Sequence, residues 1–488
     1  MESFKLYIDG RFEAGSACFT SLNPATEQPW AEIAEAQAED VNRAVAAAHR
    51  AFHDERWRGL TAGARGKLLL RLADLLEQNA GELARLETLD TGKIIRETRA
   101  QVAYVAEYYR YYAGLADKME GRTLSIDKPD METWVTREPV GVVAAIIPWN
   151  SQLFLSAVKI GPAIAAGCTL VVKAAETAPA PLLAFARLID EAGFPPGVCN
   201  IITGFAATCG TVLTTHPLVD HIAFTGGPET AKSIIRNSAE NLARTSLELG
   251  GKSPFIVFED ADLESAANAQ VAAIFSASGQ SCVAGSRLLV AESIKDAFLE
   301  ALTQKVRGIV IGCPQQPETQ FGPLCTPQQK TRIHQRVTQS LEQGARLVTG
   351  HYDLDRPGYY YPPTILDCSA QPQAVCVTEE LFGPVLSVLT FRDEAEAVRL
   401  ANDTGYGLAA GVFTQNLTRA HRVTRRLRTG VVWLNTYRAV SPLAPFGGYG
   451  KSGFGREGGM DAALEYTTTK TVWLRTSDAP IDDPFVMR

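Results

Sequence analysis

The spacing of apolar and polar residues changes several times along the chain, and each change predicts a different kind of element. Residues 5–35 open with KLYIDGRFEAG, where an Asp-Gly pair separates two alternating stretches and predicts a hairpin. From Ala38 to Gly121, apolar residues recur at helical spacing and predict two or three long helices, for example Ala64–Asn79 and Ile94–Lys118. Residues 124–141 alternate again around a turn rich in charge, which predicts an exposed hairpin arm.

The remainder of the chain alternates short apolar strands with helical stretches, twice. Residues 142–260 contain VVAAIIP, TLVVKAA, CNIITG, HIAFTGG and SPFIVF, and a second alternation follows from Asp262 to about Gly450. Each run is typical of a doubly wound parallel sheet. We therefore predict an α/β protein with two doubly wound parallel-sheet domains and a small β arm, with which the alternating tail LEYTTTKTVWLRT is expected to pair. The predicted boundaries are 1–123 with 142–249, then 250–450, and 124–141 with 460–488 for arm and tail.

Composition and charge narrow the class of protein. A chain of 488 residues exceeds what one hydrophobic core usually supports, and 46% hydrophobic with 21% charged residues is typical of a globular protein. The net charge of -7 and the lack of any long Lys/Arg run argue against a nucleic-acid partner. Seven histidines form no metal-binding motif, so no metal site is expected.

Location is predicted from the cysteines and the apolar runs. The nine cysteines are scattered and odd in number, which indicates reduced thiols and a cytoplasmic protein. The N-terminus shows no secretory or transit pattern. The most apolar run, Val142–Val172, is interrupted by proline, glycine and a lysine, so no membrane span is expected.

The stretch Phe275–Arg287, FSASGQSCVAGSR, contains the first candidate for chemistry, Cys282. The preceding residues Leu263–Ser278 predict a helix with Asp262 as N-cap and Gly279 as its stop. Cys282 is therefore expected on a tight loop at a helix end, where a thiol can meet a ligand. A free cysteine alone is more often a small buried hydrophobic residue.

Two further side chains fit the needs of a nucleophilic thiol, which are a base and a donor to the oxyanion. Glu248 in LELGGKSP precedes two glycines, and Asn150 ends an apolar strand at the carboxyl edge of the first predicted sheet, where α/β sheets bind ligands. Each has an ordinary alternative. Taken alone, Glu248 is more often a solvated carboxylate, and the alternative for Asn150 is a turn or helix cap.

A nucleotide site is suggested by two other strand ends. Lys173 and Glu176 follow a strand and fit contacts to ribose hydroxyls, although two solvated charges explain them equally well. In HIAFTGGPETAK, a strand and glycines precede Pro228, a suitable first helical residue, and such helix N-termini bind pyrophosphate. The common GxGxxG pattern is missing, so the spacing alone leaves this interpretation open.

These residues fall within an ordered set of motifs through which the chain resembles the NAD(P)-dependent aldehyde dehydrogenase superfamily over nearly its whole length. The motifs are PWN (148–150), VVKAAETAP (171–179), FTGG (224–227), LELGGKSP (247–254), GQSC (279–282), EELFGPV (379–385) and PFGGYGKSGFGRE (445–457). Each motif alone is weak, whereas their joint order is specific.

The resemblance implies a role for each matched position. Cys282 would be the nucleophile, Glu248 the base that activates water, and Asn150 with the Cys282 amide the oxyanion hole, while Glu457 matches a second glutamate of the family's proton relay. NAD would be the cofactor, with NADP disfavoured because Glu176 would repel a 2′-phosphate. The implied cofactor residues are Trp149, Lys173, Glu176, Thr225, Gly226, Gly227, Glu380 and Phe382.

The resemblance also implies a substrate tunnel and an assembly. The tunnel positions are Tyr104, Ser151, Phe154, Ser276, Ser281, Val283, Arg438 and Phe446, three of them serines. We hypothesise that Arg438 pairs with a carboxylate or another polar group on a small-molecule aldehyde, the alternative being an arginine at a solvent-facing rim. Members of the family form homodimers or homotetramers, with the arm and tail building the shared sheet.

The chain departs from the family pattern at three places. Gly227-Pro228 stands where Ser-Thr is common, Ala231 stands where the helix often has glycine, and the lysine of the last motif has moved to Lys451. A hydroxyl near the pyrophosphate is thereby lost.

Two other classes of function fit part of the pattern. A cysteine hydrolase of esters or thioesters would also use Cys282, Glu248 and an oxyanion hole, but it has no need for ribose-binding carboxylates at Glu176 and Glu380. A binding or structural protein that has lost activity would not need the intact set of Cys282, Glu248 and Asn150. The presence of Glu248 also argues against the CoA-acylating branch of the family.

Overall fold

The computed structural model describes residues 1–486. Its strands are β1 (Glu2–Phe4), β2 (Leu6–Ile8), β3 (Arg11–Glu13), β4 (Ala17–Leu22), β5 (Pro29–Glu35), β6 (Arg122–Leu124), β7 (Met131–Pro139), β8 (Val142–Ile146), β9 (Thr169–Ala174), β10 (Cys199–Thr203), β11 (His221–Gly226), β12 (Arg244–Leu249), β13 (Pro254–Val257), β14 (Arg287–Ala291), β15 (Arg346–Thr349), β16 (Thr364–Asp367), β17 (Val385–Phe391), β18 (Ala409–Phe413), β19 (Val431–Leu434), β20 (Gly453–Phe454) and β21 (Thr467–Arg475).

The α-helices are α1 (Ala38–His53), α2 (Glu55–Arg58), α3 (Ala62–Gln78), α4 (Ala80–Thr91), α5 (Ile95–Leu115), α6 (Gln152–Ala166), α7 (Ala180–Ala192), α8 (Thr211–Thr215), α9 (Pro228–Asn241), α10 (Leu263–Phe275), α11 (Lys295–Arg307), α12 (Pro327–Glu342), α13 (Val375–Thr378), α14 (Glu394–Asn402), α15 (Leu417–Arg426) and α16 (Gly459–Glu465).

The first large sheet has the order β20-β12-β11-β8-β9-β10-β2-β3. Its five central strands, β8 to β12, run parallel, and the antiparallel β2, β3 and β20 complete the edges. Consecutive residues of β8 enter different cores: Val143 packs with α3, α5, α6 and α7, and Val142 packs with α1, α8 and α9. Because both faces are covered, the strands are apolar throughout, which is the pattern expected for a parallel sheet.

The second large sheet has the order β15-β16-β17-β14-β13-β18-β19 and is parallel except for β15. Leu288 of β14 packs with α10 and α11, and its neighbour Leu289 packs with α12, α14 and α15. The fold class is thus α/β with two parallel-rich sheets covered by helices on both faces, as the sequence predicts. The domain boundaries given above stay a prediction.

Two small sheets complete the fold. The strands β1, β5 and β4 form one, and β21, β7 and β6 form the other. In the second, β7 and β21 pair antiparallel from Met131 with Arg475 to Pro139 with Thr467. The expected pairing of the tail with the 124–141 arm is therefore present, and β21 lies at an edge.

Three local predictions differ from the structure. The strand β12, which carries Glu248, was not expected, and SPFIVF joins the second sheet as β13 rather than the first. The helix α10 begins at its predicted N-cap, where Asp262 accepts from the Ser265 N–H, but it ends at Phe275 rather than Ser278. It ends early because the next residues adopt left-handed backbone angles, as described below.

The helices and the metal-ligating side chains bear on membrane and metal binding. Within residues 1–486, none of the helices combines the length and apolar character needed to cross a bilayer. Over the same residues, no three His, Cys, Asp or Glu side chains gather in a way that would hold a metal ion.

Candidate active site

Two cavities meet at Cys282. One, of about 530 Å³, lies between α5, α6 and the loops around residues 276–283 and 431–446. The other, of about 690 Å³, lies between the carboxyl ends of β8, β11 and β12 and the loop at residues 379–382. Asn150, Leu155 and Cys282 line both cavities. A molecule in the first cavity and a molecule in the second would therefore reach each other at the thiol. We refer to them below as the substrate cavity and the cofactor cleft.

The loop that carries Cys282 is held in a strained conformation. Ala277 and Ser278 have φ of 51° and 54°, a left-handed region that non-glycine residues rarely adopt. Contacts from other elements hold them there: both carboxylate oxygens of Glu97 accept from the Ala277 N–H at 3.1 Å, and Ser278 Oγ donates to the Gly322 carbonyl at 2.8 Å. The loop is thus set by residues distant in sequence, which is typical of a functional site.

The thiol of Cys282 is half-buried and has a raised pKa. Burial, together with the carboxylates of Glu380 and Glu248, raises its pKa to about 12, while the guanidinium of Arg438 acts in the opposite direction. The protein alone therefore keeps the group as a thiol at neutral pH. Formation of the thiolate needs added positive charge or a proton acceptor.

Glu248 lies at the carboxyl end of β12, beside Thr225 in the register of β11. It is 4% exposed, and neither of its carboxylate oxygens has a hydrogen-bond partner among the described residues. Burial and the nearby Glu457 raise the pKa of Glu248 well above its usual range, with Lys159 and Arg456 opposing. A buried carboxylate without partners is rare and is suited to hold or to take up a proton.

Glu457 reaches the same region from the other end of the chain. It forms an ion pair with Lys159 of α6, which is 2% exposed, and accepts from Thr225 Oγ1 at 3.4 Å. Glu457 lines the substrate cavity, and Glu248 lines the cofactor cleft. Two carboxylates in different environments, one paired with a lysine and one unpaired, therefore stand near the thiol.

Asn150 follows β8 at the carboxyl edge of the sheet, as predicted. Its Nδ2 donates to the Gln280 carbonyl at 3.1 Å, which ties it to the loop of Cys282. Because an amide nitrogen carries two hydrogens, one donor is left for another partner.

The cofactor cleft is lined by most of the predicted cofactor residues. They are Trp149, Thr225, Gly226, Gly227, Glu380 and Phe382. The rings of Trp149 and Phe382 meet edge to face, with centroids 5.5 Å apart. Lys173 and Glu176 lie outside this lining, at the end of the adjacent strand β9, where Lys173 Nζ is 3.1 Å from Glu176 Oε2.

The cleft fits a dinucleotide on three observations. Its floor includes the N-terminus of α9 at Gly227, which has no side chain to satisfy the first N–H groups. Glu380 Oε1 accepts from the Gly251 N–H at 3.0 Å, and a Cβ at Gly250 would lie only 1.8 Å from Glu380 Oε2, so a side chain there would displace the Glu380 carboxylate. Burial raises the pKa of Glu380 to about 7, which leaves a carboxyl group suited to ribose hydroxyls.

The substrate cavity contains all eight residues predicted to line the tunnel. They are Tyr104, Ser151, Phe154, Ser276, Ser281, Val283, Arg438 and Phe446. Arg438 has a left-handed φ of 61°, and its only hydrogen bond within residues 1–486 is a contact of 3.4 Å from Nη1 to the Ala272 carbonyl. Within the same residues, no carboxylate forms an ion pair with Arg438. A guanidinium with unused donors therefore faces the cavity that holds Cys282.

Several residues of the site were not predicted. Lys159 interrupts an apolar helix, and a single charge in such a stretch is the signal that could have singled it out. Lys93 and Gln101 line the substrate cavity, but nothing in their spacing distinguishes them from solvated side chains of a helix and its preceding turn.

A thiol at the junction of a dinucleotide-sized cleft and a second cavity defines the class as a cofactor-dependent oxidoreductase with a cysteine at its centre. Comparisons with known proteins agree. The sequence profile of the aldehyde dehydrogenase family matches residues 12–472. The chain is 69% identical over 488 residues to the (Z)-2-((N-methylformamido)methylene)-5-hydroxybutyrolactone dehydrogenase of Acinetobacter baylyi, with all of both chains covered. It is 42% identical to the betaine aldehyde dehydrogenase of Bacillus subtilis, with 98% of each chain covered.

Solved structures give the same result. An aldehyde dehydrogenase of Bacillus cereus in complex with NAD⁺ superposes with a TM-score of 0.96 at 42% identity, covering 98% of this chain and 97% of the other. A betaine aldehyde dehydrogenase of Staphylococcus aureus in complex with NAD⁺ gives 0.97 at 38% identity, with 100% and 97% covered.

The chain belongs to the aldehyde dehydrogenase family. It is an NAD-dependent oxidoreductase that converts an aldehyde into a carboxylic acid. The hydrolase and the inactive binding protein are thereby set aside.

Proposed function

We propose that Cys282 is the nucleophile of this reaction, Glu248 the base for water, and Asn150 with the Cys282 N–H the donors to the oxyanion. Support comes from the position of Cys282 and Asn150 at the junction of the two cavities, from that of Glu248 on the wall of the cofactor cleft, and from the spare donor of Asn150. The carboxylate of Glu248 has no hydrogen-bond partner among the described residues, and its raised pKa makes the ionised form a stronger base, which supports this role. Glu457, paired with Lys159 and close to Thr225, passes the proton of Glu248 toward solvent.

The steps follow from these roles. The Cys282 thiol gives its proton to water in the cavity, and its sulfur attacks the aldehyde carbon. Asn150 and the Cys282 N–H stabilise the oxyanion of the thiohemiacetal. Bound NAD supplies the acceptor for the hydride that leaves this carbon, so a thioester remains on Cys282. Glu248 takes a proton from water, whose oxygen attacks the thioester carbonyl. The carbon–sulfur bond breaks, and the products are the carboxylic acid and the free thiol.

We propose that Glu176 gives the enzyme its preference for NAD over NADP. Its carboxylate, already paired with Lys173, would accept from adenine-ribose hydroxyls and would repel a 2′-phosphate. Replacing Glu176 by Gln is expected to reduce the ratio of kcat/KM for NAD over NADP, and an unchanged ratio would contradict this role.

For the substrate, we propose an aldehyde that carries a carboxylate, close to the one after which the Acinetobacter baylyi relative is named. A hydroxybutyrolactone is the ring-closed form of a succinic semialdehyde, in which one chain end is an aldehyde and the other is a carboxylate. The substituted compound in the relative's name opens to such a semialdehyde with an N-methylformamide arm next to the carboxylate. Oxidation would give the substituted succinate.

One observation carries this proposal: Arg438 has unused guanidinium donors on the wall of the cavity that holds Cys282. A carboxylate is the group that a guanidinium binds best, through two parallel hydrogen bonds. The cost of holding Arg438 in a left-handed conformation supports a functional reason for its position.

The test compares the hydroxylactone, succinic semialdehyde and butanal as substrates, with NADH formation as the measurement. The wild-type enzyme is expected to prefer both carboxylate-bearing compounds over butanal. Hydrogen bonds to a charged group contribute about 1.5–3 kcal/mol, so Arg438→Ala should reduce that preference by about tenfold to a hundredfold. Arg428→Ala, at an exposed arginine outside the cavity, is the control. A preference that survives in Arg438→Ala would overturn the role of this arginine.

The chain is further proposed to form a homodimer or homotetramer through β21. This edge strand exposes Trp473, at 55%, and Leu474, at 46%, beside its unpaired backbone groups. Uncovered edges of this kind invite pairing with another chain. Light scattering of the purified protein measures the assembly, and replacing Trp473 by Glu should shift it toward the monomer.

A further inference from the structure

A polar cluster forms the wall of the substrate cavity next to Asn150. It consists of Lys93, just before α5, Gln101 on α5, and Ser151, which directly follows Asn150. Lys93 Nζ lies 2.5 Å from Gln101 Oε1, 3.0 Å from Ser151 Oγ and 3.1 Å from Glu87 Oε1. Gln101 Nε2 donates to Ser151 Oγ at 3.3 Å, and Ser151 Oγ donates to the Asn150 carbonyl at 2.6 Å.

Lys93 is itself fully occupied. Its ammonium has three hydrogens and three acceptors, the side chain is 5% exposed, and its charge is matched by Glu87, which is 0% exposed. Lys93 therefore has no donor left for a substrate. Its contribution is to the orientation of its neighbour.

The orientation of Gln101 follows from this ammonium. A carbonyl oxygen toward Lys93 is favourable, whereas an amide nitrogen in the same place would set donor against donor. The Gln101 NH₂ group consequently faces away from Lys93. One of its hydrogens goes to Ser151, and the second has no acceptor among the described residues. Since Gln101 is half-buried and lines the cavity, this free donor is available to a ligand.

Other charges on the same wall are already paired. Glu97 accepts from the Ala277 N–H, and Glu457 is paired with Lys159. Among the charged and amide groups of the cavity outside the oxyanion site, the unused ones are thus donors, from Gln101 on one element and Arg438 on another. Both favour oxygen acceptors on the substrate and disfavour a cationic arm.

We propose that Gln101 Nε2 is the donor of a second subsite, one that binds a neutral carbonyl oxygen on the substrate, with Lys93 and Ser151 as the positioning residues that fix its orientation. This rests on the proposed function, in which the substrate carboxylate binds Arg438. The formamide oxygen of the substituted semialdehyde is an acceptor of the required kind. In this semialdehyde, one methylene separates the aldehyde carbon from the carbon that carries the formamide arm. In the site, Ser151 alone lies between Gln101 and the oxyanion donor Asn150. The short distance between the two groups of the substrate therefore matches the short distance between the two donors of the site.

The test measures the ratio of kcat/KM for the formamide-bearing hydroxylactone over that for succinic semialdehyde, which lacks the arm. The wild-type enzyme should favour the formamide-bearing compound. Gln101→Met keeps the length of the side chain and removes the donor, so the ratio is expected to fall by about threefold to tenfold, the usual effect of one neutral hydrogen bond. Gln304→Met, at an exposed glutamine of α11, is the matched control.

A second variant separates recognition from folding. Gln101→Glu keeps an oxygen for Lys93 but has no N–H, so it should reproduce the loss of the ratio at a melting temperature close to that of the wild type. Arg438→Ala should lower kcat/KM for both semialdehydes and leave their ratio unchanged.

Each result then has one meaning. A wild-type ratio near one, or a ratio that both Gln101 variants preserve, overturns the subsite while the preference over butanal still supports the carboxylate site. If the wild-type enzyme prefers neither the carboxylate nor the formamide, the proposed substrate class and the subsite both fail.

Discussion

Replacing Glu248 by Gln should make the protein more stable and nearly inactive at the same time. Both carboxylate oxygens of Glu248 lack partners and the side chain is 4% exposed, so Gln of the same shape loses no hydrogen bond. Burial raises the pKa of Glu248, and at a pH above the ordinary carboxyl value each unit of that shift costs about 1.4 kcal/mol of folding free energy. We expect the variant to gain about 1–3 kcal/mol at neutral pH.

The sign of the pH dependence follows from proton binding. Above the ordinary glutamate pKa of 4.5, the unfolded chain loses the Glu248 proton at a lower pH than the folded chain does. The folded state then binds more protons, so the free energy of unfolding falls as pH rises from that value. Denaturation by urea at about pH 5 and about pH 8 should show this fall in the wild type and a smaller one in Glu248→Gln. An equal fall in both proteins would mean that Glu248 is solvated or paired in the folded state.

The loss of activity should be confined to one step. A general base contributes about a hundredfold to ten-thousandfold, so steady-state turnover should fall by that much. Attack by Cys282 and hydride loss precede the hydrolysis, and stopped-flow mixing should therefore still show a burst of NADH close to one per active site. If the burst disappears as well, Glu248 acts before the thioester forms, and the order of steps proposed here is wrong.

Three substitutions test the cofactor cleft. The NAD affinity of the wild type should rise about tenfold between about pH 6 and pH 8, because the pKa of Glu380 is about 7 and the ionised carboxylate is the better acceptor for ribose hydroxyls. The NAD affinity of Glu380→Gln should not change over this pH range. If it still rises, another group causes the effect. Gly227→Ser should lower the Kd for NAD about threefold to tenfold, since a Cβ there meets nothing within 4 Å and the hydroxyl restores a donor at the N-terminus of α9. Gly227→Ala is the control. Equal NAD affinities of the two variants would refute the role of the hydroxyl. Gly250→Ala should weaken NAD binding at least about tenfold, because the added Cβ would displace Glu380. At Gly63 an added Cβ meets no atom within 4 Å, so Gly63→Ala should bind NAD like the wild type. Calorimetry measures both affinities.

The parts of the fold that repeat a local pattern could be predicted from the sequence. The Asp-Gly hairpin of β2 and β3, the helix α3 and the central strand β8 each show their period within a few residues. The strand β12 was missed because RTSLEL mixes charge, hydroxyls and leucines. It is a strand because β11 and β20 flank it and complete its backbone hydrogen bonds.

The residues of the candidate site fall into the same two groups, those that a local pattern predicts and those that depend on tertiary packing. Cys282, Glu248 and Asn150 lie in motifs, so an ordered set of short patterns identifies them. The pairing of Lys159 with Glu457 joins residues 298 apart in sequence, and that of Lys93 with Ser151 joins residues 58 apart. No local pattern carries that information, because it depends on how α5, α6 and the C-terminal segment pack together.

The early end of α10 shows why this distinction matters for the chemistry. Local propensity favours continuing the helix through Ala277 and Ser278 to Gly279, and a non-glycine residue in the left-handed region costs about 1 kcal/mol or more. Glu97 of α5 and the Gly322 carbonyl offset that cost with hydrogen bonds to these two residues. The helix therefore stops three residues early, and Gln280 comes within reach of Asn150. The position of the thiol beside its oxyanion donor thus depends on a carboxylate that belongs to the substrate-cavity wall. Glu97→Ala, which removes both acceptors of the Ala277 N–H, should therefore misplace Cys282 and lower kcat more than the affinity for NAD.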